Sequence, residues 1–351
     1  MIDQRRITTD WINEISASNR NLDKTLIEKA IRALLLLEGL VIQRLDFVFK
    51  GGTALLLRFS EIKRLSIDID IILPHIEELD ASILDAILES HGFTRYERQK
   101  RNPEISIKKD HFKLYYKPVF QTYTDEDYIL LDVLYESINY SAIELIDITS
   151  PIIPETGEAV KVALPSLENH LGDKLTAFAP NTTGIPYIKG EASKSMEIIK
   201  QLFDVGNLFN DMTDISAVRD SFFQIATTEM SYRTDKNMIV DDVLDDIFGT
   251  SLCVASRGKL GNGRFTELQD GIKKLKSFIH GKYAVEDAIL HASQAAYLSR
   301  LIKNEMQSFQ KYDESMDIKD LLIEGTAINK LNKLKKTNPQ AFYYWYLINK
   351  M

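Results

Sequence analysis

A chain of 351 residues is long enough for two domains and a sizeable buried core. Its 44% hydrophobic and 27% charged residues exclude a fibrous or largely disordered chain, and a net charge of -8 excludes a uniformly basic nucleic-acid coat, though not a local basic patch. Cys253, the single cysteine, rules out an intrachain disulfide or a thiolate zinc cage; with no apolar run of membrane-spanning length and a polar start at Met1–Arg6, the expectation is a cytoplasmic protein.

Leu22, Leu26, Ala30, Leu34 and Leu37 recur at three- and four-residue spacing, which predicts a helix over 22–40 with Asn21 as its N-cap. Phe47–Phe49, Gly51 with Gly52, and Ala54–Phe59 read as strand, turn and helix. Leu65–Leu73 alternates apolar and polar residues with period two, the mark of a strand with one apolar face. After Pro74 a helix is expected over 76–91, then strands over 93–98, 104–118 and 128–135, where β-branched and aromatic residues concentrate.

From Ser166 the pattern turns helical, with helices predicted near 166–178, 191–210, 214–231, 239–248, 264–280, 283–308 and 317–331. Pro151, Pro154, Gly157 and Pro165 cluster at the change. The expected fold class is therefore α+β: a mixed-sheet domain over residues 1–160, then an all-helical domain over 161–351.

The sharpest chemical feature is Asp68 and Asp70 on the alternating strand. Two-residue spacing sets both carboxylates on one face, about 6 to 7 Å apart, where their repulsion favours a divalent cation such as Mg²⁺. Gly51 and Gly52 permit close backbone approach to a phosphate, and the N–H groups near Thr53 suit an anion. Asp132 interrupts the apolar run Ile129–Leu134; it is either a third metal carboxylate or a strand aspartate paired with a nearby lysine. Ser66 shares the face of Asp68 and either touches phosphate or is a plain strand serine.

A Gly-Gly turn at a helix start, Asp-x-Asp on the next strand and a third acid on a later strand together resemble the nucleotidyltransferase superfamily. More closely, the chain resembles the AbiEii/AbiGii toxin family. The matching stretches are Ile27–Ala30, Phe49–Leu55, Arg64–Asp70, Leu131–Val133 with Glu136, Asp173–Leu175 and Lys200–Asp204. The resemblance implies a nucleotidyltransferase fold and Mg²⁺-dependent transfer of a nucleoside monophosphate from an NTP to an acceptor. It assigns metal binding to Asp68, Asp70 and Asp132, with Asp132 activating the acceptor oxygen, and a triphosphate cradle to Gly51, Gly52 and Thr53.

By the same resemblance Lys174 meets the nucleotide phosphates, and Asp204 orients Lys174 or the nucleotide, both reaching the cleft from the helical domain. Where the family often carries Arg-Asp-x-x-Asp, this chain has Lys200 and Gln201 before Asp204. Four-residue spacing also allows Lys200 and Asp204 to be a surface ion pair. The implied setting is the toxin of a bacterial toxin–antitoxin or phage-defence pair, with RNA, tRNA in particular, as acceptor and an antitoxin as partner.

Three rivals remain at this level: a small-molecule nucleotidyltransferase of the antibiotic-modifying kind, a metal-dependent glycosyltransferase, and a nucleotide-binding module without turnover. The six histidines show no paired zinc-ligand spacing. Arg257–Lys282 is the clearest basic stretch and a candidate RNA contact. The run Phe342–Tyr346 is either an RNA-stacking platform or a terminal helix packed into the core.

Overall fold

Helix α1 (Thr9–Ser18) is followed by α2 (Lys24–Ile42), whose leucines and isoleucines are apolar nearly all round. A helix of that kind must be buried: Ile27, Ile31, Leu34, Leu35 and Leu37 are all at 0% exposure. The N-cap of α2 is Asp23, which accepts from the Leu26 amide at 2.9 Å; the predicted cap, Asn21, lies outside the described residues. In this computed structural model the described residues are 1–19, 22–75, 78–99, 108–120, 125–233, 237–325 and 327–351.

The chain forms two units. The first comprises Met1–Ile138, Ala142–Ser166 and Ser277–Gly281; the second comprises Asn139–Ser141, Leu167–Lys276 and Lys282–Met351.

In the first unit, β1 (Val48–Lys50), the single-turn helix α3 (Leu55–Arg58), β2 (Ile69–Ile72), α4 (Ala81–Ser90), β3 (Arg95–Arg98), β4 (Lys109–Tyr116) and β5 (Asp127–Leu134) follow in order. The strands make a five-stranded mixed sheet in the order β1-β2-β5-β4-β3, with β2 and β5 parallel and every other pair antiparallel. Along β4 and β5 alternate residues are buried, so Phe112, Leu114, Ile129, Leu131 and Val133 join α2 in one hydrophobic core. The other face stays half-open, and that face carries Lys50, Asp70, His111 and Asp132.

Strand β2 is shorter than the alternation predicts. The Leu65 amide donates to the Phe278 carbonyl at 2.6 Å and Arg64 bridges Ile279, so the stretch before β2 pairs with Ser277–Gly281 and not with the sheet. The expected strand over 104–118 begins at Lys109, with 104–107 outside the described residues; the helix predicted from Ile76, itself undescribed, begins at Ala81 behind its cap Asp80. A hairpin of β6 (Ile143–Asp147) and β7 (Lys161–Pro165), absent from the predicted elements, follows, with Ile143 and Leu145 exposed.

The second unit contains α5 (Leu167–Ala177), the short ladder β8 (Ile188–Lys189) and β9 (Ala192–Ser193), α6 (Ser195–Asp211), α7 (Ile215–Ser231), α8 (Val240–Ala255), α9 (Phe265–Leu275), α10 (Val285–Lys303), α11 (Leu334–Thr337) and α12 (Pro339–Lys350). The mixed α+β class with a helical second half holds. The helix predicted over 317–331 does not form; only a 3-10 turn over Ala327–Lys333 appears among the described residues. Asp313 and Asp317 accept from the amides two residues on, at 2.8 and 3.0 Å, local turns that compete with a helix. In α12 the rings of Phe342, Tyr344 and Trp345 are buried and the Trp345 indole donates to Ser293 at 2.7 Å, so the aromatic run is core and not an RNA platform.

Candidate active site

Strand register builds the site. Lys50 pairs with Asp70 across β1 and β2, Asp70 with Asp132 across β2 and β5, and Asp132 with His111 across β5 and β4. Paired residues of neighbouring strands share a face, so these four side chains form one row across the half-open side of the sheet. The sequence separates Asp70 from Asp132 widely; a parallel pairing sets them side by side at the strand spacing of about 4.8 Å.

The row is charged and locally constrained. His111 Nδ1 lies 2.6 Å from Asp132 Oδ1, and both side chains are about one-third exposed, at 35% and 36%. That contact fixes the carboxylate and leaves its second oxygen for another partner. Asp68 stands one residue before β2, and its carbonyl accepts from Thr53 Oγ1 at 2.5 Å. Thr53 is fully buried, so its hydroxyl ties the glycine turn to the start of the strand.

The turn is shaped by what surrounds it. Gly51 has φ +82°, a left-handed conformation that favours glycine, and a Cβ there would run into the Asp70 carboxylate. At Gly52 a Cβ would collide with the Arg64 guanidinium and come within 2.9 Å of Ser66 Oγ. The backbone of the turn thus lies directly against Asp70 on one side and against buried Arg64 with half-buried Ser66 on the other. The helix that follows is a single turn.

In the second unit, Lys174 on α5 and Asp204 on α6 form a buried ion pair, Nζ to Oδ2 3.3 Å, and the ammonium also donates to Gln201 Oε1 at 3.3 Å. Both side chains are almost wholly covered, at 6% and 1% exposure, so Asp204 is no surface residue. Lys200 is half-buried one turn earlier on α6. Burial holds the His291 imidazole down to about pKa 4, against the opposing pull of Asp204; Tyr283 Oη is 3.2 Å from His291 Nδ1. Of the basic stretch, Arg257, Arg264 and Lys274 are engaged with Glu286, Glu267 and Asp270.

The donor chemistry fits a hard divalent cation. Asp70 and Asp132 offer oxygens on one face, whereas among the described residues no group of three His, Cys, Asp or Glu side chains, the expected trio of Asp68, Asp70 and Asp132 included, stands together as a metal site. Two carboxylates plus ligands from water and substrate phosphate is the usual magnesium arrangement. Sequence reasoning missed His111, Lys50 and Arg64. Period-two spacing marks the face of Lys50 and His111 within their strands, but which strands are neighbours is not written locally.

The family model of the nucleotidyl transferase AbiEii toxin, a type IV toxin–antitoxin system, matches residues 35–267. No curated protein matches the chain in sequence. Among solved structures, the chain is similar to MenT4, a nucleotidyltransferase toxin from Mycobacterium tuberculosis, over 95% of this chain and 98% of that one, at 12% identity and a TM-score of 0.52. It is also similar to JHP933 from Helicobacter pylori, over 84% and 94% of the two chains, at 13% identity and a TM-score of 0.42. The likeness to MenT4 is one of fold.

Proposed function

The chain belongs to the AbiEii family of nucleotidyltransferase toxins, and on that premise we propose that it moves a nucleoside monophosphate from an NTP to RNA, tRNA foremost, with Mg²⁺ at Asp70 and Asp132. Nucleotidyl transfer itself, an NTP substrate and a cognate antitoxin follow from the family. The observation that carries the finer reading is the row Lys50, Asp70, Asp132, His111 beside the glycine turn.

Geometry and charge support the following roles. Asp132, oriented by His111, is the base for the acceptor hydroxyl, and Asp70 with Asp68 supplies the remaining carboxylates. Gly51 and Gly52 offer backbone N–H groups to phosphate, with the Arg64 guanidinium and Ser66 hydroxyl against the turn; Thr53 holds that turn to Asp68. Lys174, its ammonium held by Asp204, is a compact cation suited to phosphate, and Lys200 is a further candidate contact on α6. When bound, a magnesium ion neutralises phosphate charge and orients the nucleotide.

The test is incubation with each α-labelled NTP, Mg²⁺ and total bacterial RNA, beside Asp70→Ala, resolved on a denaturing gel. A labelled tRNA-sized band is expected, lost in the variant while its circular dichroism stays native. It should also vanish with EDTA and return with added Mg²⁺. Undiminished label in Asp70→Ala overturns the carboxylate assignment; label on no RNA, with pyrophosphate released to a small molecule, overturns the acceptor.

A further inference from the structure

Asp70 and Asp132 are register partners, yet their carboxylates are drawn to opposite flanks of the row. Measured from where a Cβ on Gly51 would begin, the Asp70 side chain comes nearer atom by atom, with its Cβ at 3.2 Å, its Cγ at 3.0 Å and its Oδ2 closest. Asp70 therefore leans toward the end of β1. Asp132 is held on the other side, its Oδ1 2.6 Å from Nδ1 of His111 on β4. The divergence agrees with the finding that, among the described residues, no three His, Cys, Asp or Glu side chains stand together as a metal site.

At the β1 flank stands a lysine. Lys50 is the last residue of β1, the register partner of Asp70 and the neighbour of Gly51. Phe49 is wholly buried in the core, so Lys50 lies on the opposite face with Asp70, where it is half-buried. The other two rungs between β1 and β2, Val48 with Ile72 and Phe49 with Ile71, are apolar, which makes this the single charged rung of that ladder. Side chains directly opposite on antiparallel strands have Cβ atoms about 4.5 to 5.5 Å apart, inside the reach of a lysine ammonium, and opposite charges so placed attract. A lysine at a strand end is ordinarily a solvated cation; this one faces the carboxylate that leans toward its strand.

We propose that Lys50 is a positioning residue acting through Asp70: its ammonium holds the Asp70 carboxylate at the β1 flank and competes for it with the divalent ion. The inference rests on the reading of Asp70 and Asp132 as the metal carboxylates. Like charges on adjacent strands repel, and a fixed cation beside one of them lets the sheet face carry both. For both carboxylates to ligate one ion, each turns back toward the gap between β2 and β5, and Asp70 leaves the ammonium. Lys50 thus sets how tightly the row takes the ion.

The test is a titration of the full chain with Mn²⁺ alone, an EPR-visible stand-in for Mg²⁺, without nucleotide or RNA, after circular dichroism has shown each variant to be native. Lys50→Met should bind the ion about tenfold more tightly than the parent, because one opposing charge is gone. Lys50→Gln gives the same reading should Lys50→Met fail to fold. Lys50→Arg, which keeps the charge, should match the parent. Tightening is a result that mere damage to the site does not produce. Combined with Asp70→Ala, Lys50→Met should show no gain. Unchanged or weaker binding in Lys50→Met, equal tightening in Lys50→Arg, or a gain that survives Asp70→Ala overturns the role of Lys50; loss of binding in Asp70→Ala alone would still uphold the metal carboxylates. Parental affinity in Asp70→Ala overturns the carboxylate reading itself and this inference with it.

Discussion

At Gly51 two constraints coincide: a left-handed backbone and the Asp70 carboxylate lying where a side chain would begin. Gly51→Ala should therefore cost about 1 to 3 kcal/mol of stability through strain and displaced neighbours. It should also cut transfer more than tenfold, because Asp70 is what must move; parallel thermal melts and labelled-NTP assays check both. The glycine pair was legible as a turn from the sequence, since few other residues tolerate such a backbone. That the turn rests against Asp70, Arg64 and Ser66 was not legible, because those neighbours arrive from a later segment. The same holds for His111: as a lone histidine among six it carries no spacing signal, and only its pairing with Asp132 marks it.

Among the elements, α6 and α10 show how closely two helices approach at a small residue. A Cβ at Gly206 of α6 would run into the His291 ring of α10. Gly206→Ala should separate the helices locally and destabilise the protein by about 1 to 3 kcal/mol, seen as a lower melting temperature. The variant melting at or above the parent temperature would show that the contact relaxes freely. Helix α6 was legible from its apolar periodicity, but a glycine within a helix, ordinarily about 1 kcal/mol worse than alanine, carries no local sign of the helix it meets. Strand β2 shows the opposite failure: the alternation from Leu65 to Leu73 is real, but only Ile69–Ile72 finds ladder partners. The stretch before it pairs with Ser277–Gly281, more than two hundred residues later in the chain.

Over the whole molecule, stability should depend on acid through His291. Its folded pKa of about 4 lies below the ordinary value of 6.5, so the unfolded chain binds a proton first. The associated stability is complete above pH 6.5 and is lost as pH falls from there toward 4, by on the order of 3 kcal/mol. Denaturation midpoints across that window should fall less steeply in His291→Gln than in the parent; equal slopes would mean that His291 does not carry the effect. By itself the sequence determined the α+β class, the helical second half, the paired aspartates, the glycine turn and the family resemblance, because periodicity and turn chemistry depend on residues close together in the chain. Only the tertiary structure decided that Asp70 and Asp132 are register partners flanked by Lys50 and His111, that Asp204 holds Lys174, and that the aromatic run of α12 is core. Those are meetings between distant segments, selected by ladder hydrogen bonding and by burial of apolar surface, and no local pattern encodes which segment a residue will meet.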